Sequence, residues 1–93
     1  MKPTFLELRH LRTLLALKET GSVSMAAKRV YLTQSALSHQ IKLMEEQFGL
    51  PLFERKSNPL RFTAAGDRLI RLANEILPKV VDAERELARV KHG

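Results

Sequence analysis

The chain has 93 residues, enough for one small domain or for one domain plus an extended element. Its 44% hydrophobic content is that of a folded protein, and the lack of Cys excludes disulfides and thiolate metal sites and fits a reducing cytoplasm. The net charge of +6 is unevenly placed: residues 1–63 hold ten Lys/Arg against five Asp/Glu and residues 64–93 six against five, so the basic surplus of the first part points to a polyanionic partner.

The N-terminal stretch MKPTFLELRHL carries charges among its apolar residues and does not read as a signal peptide. No apolar run approaches the length of a membrane span. A first helix is predicted from about Phe5 to Thr20, with Leu8, Leu11 and Leu15 as its core stripe. Gly21 follows where a C-terminal cap belongs. Ser22 or Ser24 then caps a short second helix reaching about Val30, in which Ala26 and Ala27 allow a neighbouring helix close approach. Tyr31-Leu32-Thr33 reads as a tight turn, with Thr33 the N-cap of a third helix that Gly49 ends. Two helices joined by about three residues form the helix-turn-helix pattern. Many such turns place Gly early in the link, where this chain has Tyr31.

The third helix carries the most information. Leu37, Ile41, Met44 and Phe48 recur as a narrow apolar stripe. Gln34, Ser35, Ser38, His39 and Lys42 share another side, whose first half has no acid and few long flexible chains. Hydroxyls, an amide and an imidazole are groups that hydrogen-bond base edges and phosphates. Glu45 and Glu46 come in the second half, diverge from each other, and read as solvated. A helix that enters a DNA groove by its N-terminal end is built this way.

Leu52–Arg55 and Leu60–Thr63 are short strand candidates around the turn-rich 56–59, and such a hairpin after a helix-turn-helix reads as a wing. Arg55, Lys56 and Arg61 in it are placed to reach a phosphate or the minor groove. Leu60 and Phe62 are expected to cover the core. Thr63 caps a last helix from Ala64 to about Lys91, roughly 40 Å long and too long to pack fully on so small a domain. Leu69, Ala73, Ile76, Val80, Ala83, Leu87 and Val90 form a heptad seam that wants a partner helix. Packing on the first helix accounts for its first turn or two and leaves 80–90 uncovered. Pro78 lies inside this helix and is expected to kink it.

Catalysis is rejected on this sequence. His10, His39 and His92 share no metal-ligand spacing, and there is no phosphate loop. Ser35, Ser38 and His39 lack an orienting carboxylate, and adjacent helical residues diverge. No cofactor or metal is expected. The rival to a DNA reader is a dimeric coiled-coil interaction module whose basic head binds an acidic partner. The seam suits both, but a protein-binding face is richer in apolar and aromatic anchors than this third helix is.

The stretch LRHLRTLLALKETGSVSMAAKRVYLTQSALSHQIKLMEEQFGLPLFERKSNPLRFTAAG resembles the N-terminal DNA-binding domain of LysR-type transcriptional regulators. Gly21-Ser22-Val23-Ser24 with Ala26-Ala27, Thr33 to Ser38 with Gln40-Ile41, Leu52 to Arg55, and Thr63 to Gly66 carry the resemblance. The phrases QSALSHQ, RKSNPLRFT and LANEILP resemble one branch of that family. The resemblance implies a mainly α, winged helix-turn-helix domain over residues 1–63 and a linker and dimerisation helix over 64–93. It implies a homodimer on double-stranded DNA, reading an interrupted palindrome with a T…A core, and a higher oligomer for the full-length regulator. Gln34 matches the family's base-reading glutamine, with Ser35 and Ser38 beside it. Ser22, Ser24, Thr33, His39, Lys42, Arg55, Lys56 and Arg61 fall to phosphates or the minor groove. Many relatives have Pro and Arg where this chain has Ser35 and His39. Family proteins continue into an effector-binding domain that this chain lacks, so no small-molecule effector is expected to bind it.

Overall fold

The computed structural model describes residues 4–54, 57 and 59–92, His92 by its backbone alone. Four helices follow in order: α1 Leu8–Thr20, α2 Val23–Arg29, α3 Gln34–Phe48 and α4 Ala64–His92. Helix α1 is central, packing against both α2 and α4, while α2 packs on α3.

The helix ends are set by local chemistry. Gly21 and Gly49 both take φ 67°, the left-handed conformation in which a helix ends without a Cβ clash, and their N–H groups donate to the carbonyls of Leu17 and Glu45 at 2.8 Å. Ser22, not Ser24, caps α2, accepting from the Met25 N–H at 3.2 Å. Thr33 caps α3 as expected, accepting from Ala36 N–H at 3.0 Å. Tyr31 replaces the customary Gly of the turn by itself adopting φ 60°. Thr63 caps α4, accepting from Gly66 N–H at 3.2 Å.

Helix α1 begins at Leu8 rather than Phe5. Phe5 and Leu6 stay outside the helix and pack on the cluster of Leu14, Met44, Leu52 and Ile70. The Glu7 N–H donates to His10 Nδ1 at 3.0 Å, and Phe5 stacks on the His10 ring with centroids 5.1 Å apart. The core stripe also shifts. Leu11, Thr13, Leu14, Ala16 and Leu17 are buried, whereas Leu8 is 37% exposed and Leu15 half-buried. A helix with neighbours on two sides buries a wider arc than one stripe. Ala26 and Ala27 are buried in a second cluster with Ala16, Leu17 and Leu37.

The expected pair of strands reduces, among the described residues, to one antiparallel bridge, Phe53 to Phe62. Glu54 N–H donates to the Arg61 carbonyl and Thr63 N–H to the Leu52 carbonyl, each at 3.0 Å. Pro51 and Pro59 have no N–H with which to lengthen the ladder. Side chains add to the pairing: the Phe53 and Phe62 rings lie 4.7 Å apart, and Leu60 and Phe62 pack on the core as expected.

Helix α4 runs through Pro78 to His92, about 43 Å. Its first half belongs to the core: Ile70 and Ala73 are buried and Leu69 packs beside them. Ala73 is fully buried in the domain, which corrects its assignment to an intermolecular seam. Ile76 and Val80 are half-covered, and Ala83, Leu87 and Val90 are exposed. No helix among the described residues is long and apolar enough to cross a membrane.

Candidate nucleic-acid interface

The apolar stripe of α3 fixes which of its faces looks outward. Leu37 and Met44 are fully buried and Ile41 packs between both core clusters, so the opposite side is left open. Gln34, Ser35, Ser38, His39 and Lys42 are all exposed on α3. They lie where the sequence spacing puts them, on the first two and a half turns after the Thr33 cap. The helix presents its N-terminal amides at this end, and its first turn contains no acid. A helix N-terminus of this kind carries partial positive charge toward a phosphate.

The second helix adds a flank. Ser24 is exposed, while Ser22 is half-buried with its Oγ committed to the Met25 cap, leaving the hydroxyl proton to donate outward. Lys28 and Arg29 end α2. Arg29 is paired with Glu19 at 2.9 Å, so its charge is partly met within the protein. Phe48, counted in the apolar stripe, is 40% exposed but lies edge-on to Phe5, centroids 5.8 Å apart.

Beside α3 the paired segment presents Arg61, which is exposed. Arg55 and Lys56 lie outside the described residues. Ser57 organises the turn: its hydroxyl donates to the Glu54 carbonyl and accepts from the Arg61 N–H, both at 3.0 Å. Lys18 Nζ lies 5.6 Å from the centre of the Phe62 ring, a cation over an aromatic face next to this segment. Ser57 falls in the turn-rich 56–59 read from the sequence, whereas Lys18 has no signature as part of this region, because it acts through Phe62, far from it in the chain.

Glu45 departs from its expectation. It is half-buried rather than solvated, and its Oε2 accepts from the Leu52 N–H at 2.7 Å. Glu46 is exposed, as expected. Among the described residues no group of three His, Cys, Asp or Glu is placed to hold a metal ion. The surface as built offers hydrogen-bonding side chains on a helix end, flanked by cations.

Comparison with known proteins agrees with this geometry. Residues 8–67 match the model of the bacterial regulatory helix-turn-helix protein, lysR family. The chain is 89% identical, over its whole length, to the HTH-type transcriptional regulator MetR of Haemophilus influenzae, and spans 30% of that protein. It is 50% identical over 78 residues, 84% of this chain and 25% of the relative, to MetR of Escherichia coli. Among solved structures, the BenM DBD/benA site 1 DNA complex superposes with a TM-score of 0.84 at 35% identity, covering 95% of this chain and 99% of that one. Helix order, capping pattern, exposed α3 face and sequence all converge, and the chain belongs to the LysR family of bacterial helix-turn-helix regulators.

Proposed function

We propose that this chain is the DNA-reading domain of a LysR-type regulator, and that it docks α3 N-terminus first into the major groove of double-stranded DNA. The exposed row Gln34, Ser35, Ser38 on a capped, acid-free helix end is the observation that carries this reading. Gln34 suits an adenine edge, to which an amide can both donate and accept. Ser35 and Ser38 reach bases, and Ser22, Ser24, Thr33, His39 and Lys42 reach the adjoining phosphates. Arg61, with Arg55 and Lys56, serves a phosphate or the neighbouring minor groove. The similarity to a domain solved with DNA supports the reading.

Residues 1–63 form the reader and 64–93 the linker in this proposal. Two copies associate through the distal part of α4, using Val80, Ala83, Leu87 and Val90, with Leu69 and Ile76 at the edge of the domain. The seam is symmetric about its centre, since Ile76 and Leu87 are equidistant from the midpoint of Val80 and Ala83. A two-fold pair covers both copies alike, and fixes two readers at one spacing on a two-fold-symmetric site. The phrases QSALSHQ and LANEILP resemble the methionine-biosynthesis regulator of the family, and the identity to MetR supports that pathway as the one controlled.

Selection of bound duplexes from a random library should return an interrupted palindrome. Gln34→Ala should then cost about 1–3 kcal/mol on the selected site and flatten the preference at one base pair. Affinity for random duplex should stay as it was, since the amide carries no charge. An equal loss on both duplexes would remove Gln34 from base reading.

A further inference from the structure

Glu45 stands in an odd place for a DNA-binding domain. It is an acid on the reading helix itself, three residues from Lys42, and electrostatics alone would have it oppose a polyanion. Yet its carboxylate is engaged within the protein, accepting from the Leu52 N–H at 2.7 Å. Its own carbonyl accepts from the N–H groups of Gly49 and Leu50 as α3 ends. One residue thus closes the helix and grips the chain seven residues on.

Leu52 is gripped from two further sides. Its carbonyl accepts from the Thr63 N–H at 3.0 Å. Gly66, in the first turn of α4, lies so close that a Cβ there would run into that same carbonyl oxygen. Thr63 Oγ1 also donates to the Pro51 carbonyl at 2.6 Å. The Leu52 side chain is buried with Leu14, Met44 and Ile70. Two of these backbone restraints come from Thr63 and from Gly66 of α4, and the Glu45 bond comes from the reading helix. The next residues, Phe53 and Glu54, pair directly with Phe62 and Arg61. The setting of Leu52 therefore sets where Arg61 stands relative to Gln34.

Resting on the DNA-binding reading above, we infer that Glu45 is a positioning residue. It locks Leu52, and with it the pairing of Phe53 and Glu54 with Phe62 and Arg61, to the recognition helix, so that Arg61 and the base-reading face engage one duplex in fixed register.

The test uses three variants and a pool of random-sequence 30-base-pair duplexes. Glu45→Met keeps the unbranched stem without an acceptor, Glu45→Gln keeps an acceptor without the charge, and Arg61→Ala reports the segment. Glu45→Met should weaken duplex binding about fivefold, the net worth of one hydrogen bond, although it removes a negative charge. Glu45→Gln should bind as tightly as the wild type or tighter. Added to Arg61→Ala, Glu45→Met should cost little more. Amide exchange at Leu52 should speed up in Glu45→Met and stay slow in Glu45→Gln. Binding by Glu45→Met equal to or tighter than wild type, where Arg61→Ala does weaken binding, would overturn this proposal alone. Unchanged Leu52 exchange would do the same. So would Glu45→Met failing to fold while Glu45→Gln folds, since Glu45 would then be a strut of the whole domain. An Arg61→Ala chain that binds as the wild type does would instead sink the underlying reading of the wing, and this proposal with it.

Discussion

The two halves of α4 carry one apolar repeat and meet opposite fates. Leu69 and Ile70 lie against α1 and the base of the paired segment and Ala73 is buried, while Ala83, Leu87 and Val90 project into solvent. The repeat does not change between them. What changes is the neighbour. Helix α1 has 13 residues and spans about 20 Å, so it can line less than half of a helix about 43 Å long. Heptad spacing tells which face of a helix is apolar. The length of the opposing element tells how much of that face the monomer can cover.

The largest effect expected from this contrast is at Ala73. Ala73→Asp would put a carboxylate at a fully buried position, at the desolvation cost of a buried charge. The domain should lose about 4 kcal/mol or more, enough to unfold it at ordinary temperature. Denaturant titration at low protein concentration would measure this. A loss under 1 kcal/mol would mean that the first half of α4 is less firmly docked than its burial indicates.

The second half should respond in the reverse sense. Ala83→Glu with Leu87→Glu places acids on exposed positions, so the low-concentration denaturation midpoint should stay near that of the wild type. Sedimentation should show the wild type as a dimer and the variant as a monomer. Affinity for a palindromic site should fall about a hundredfold, because two linked half-sites become independent. A wild-type chain that stays monomeric at high concentration would refute the proposed seam.

A smaller effect probes the covered end from another direction. His10 is buried, stacked on Phe5, and its Nδ1 accepts the Glu7 N–H. Burial, then the Arg9 guanidinium, push its pKa below the ordinary histidine value of 6.5, with Glu7 opposing. The neutral ring is thus the form that folds. Its contribution is complete above pH 6.5 and is lost as the pH falls toward the lowered value, because the unfolded chain takes up the proton first. His10→Gln keeps an acceptor at the third helical position and does not titrate. Between pH 7.5 and 5.5 the wild type should lose more stability in urea than His10→Gln does. Parallel losses would assign the pH dependence to other groups.

Much of this architecture was legible because short-range chemistry decides it. Gly21, Thr33 and Gly49 end or begin helices by bonds to residues three or four away, so their neighbours in sequence are their partners in space. The exposed face of α3 follows from one periodicity. The start of α1 is not legible in the pattern, because Phe5 and Leu6 look helical but are held outside the helix by contacts from α3 and α4. The wing strands were overextended because a run of apolar alternation does not say how many ladder bonds two flanking prolines leave. Glu45 looked solvated because its partner is a backbone N–H, and a backbone donor has no signature in the sequence.

The smallest effect concerns the turn that joins α2 to α3. Tyr31 holds φ 60° with its side chain 94% exposed. Its N–H donates to the Lys28 carbonyl at 3.2 Å, and the Leu32 N–H donates to that of Ala27 at 2.8 Å, so the backbone and not the ring holds the turn. A bulky residue pays for the left-handed conformation with contacts between its Cβ and the backbone, and the ring returns little packing. Glycine takes that φ freely, though it also loses more chain entropy on folding. Steric relief of about 1–2 kcal/mol against an entropic cost of about 0.5–1 leaves Tyr31→Gly stabilised by about half a kcal/mol. Tyr31→Ala keeps the Cβ and should show no gain. Urea midpoints of the two variants, read beside the wild type, would separate backbone strain from loss of the ring. If Tyr31→Gly is instead less stable than Tyr31→Ala, the left-handed turn is not the source of strain; a Tyr31→Ala midpoint well below that of the wild type would show that the ring contributes packing that its exposure conceals.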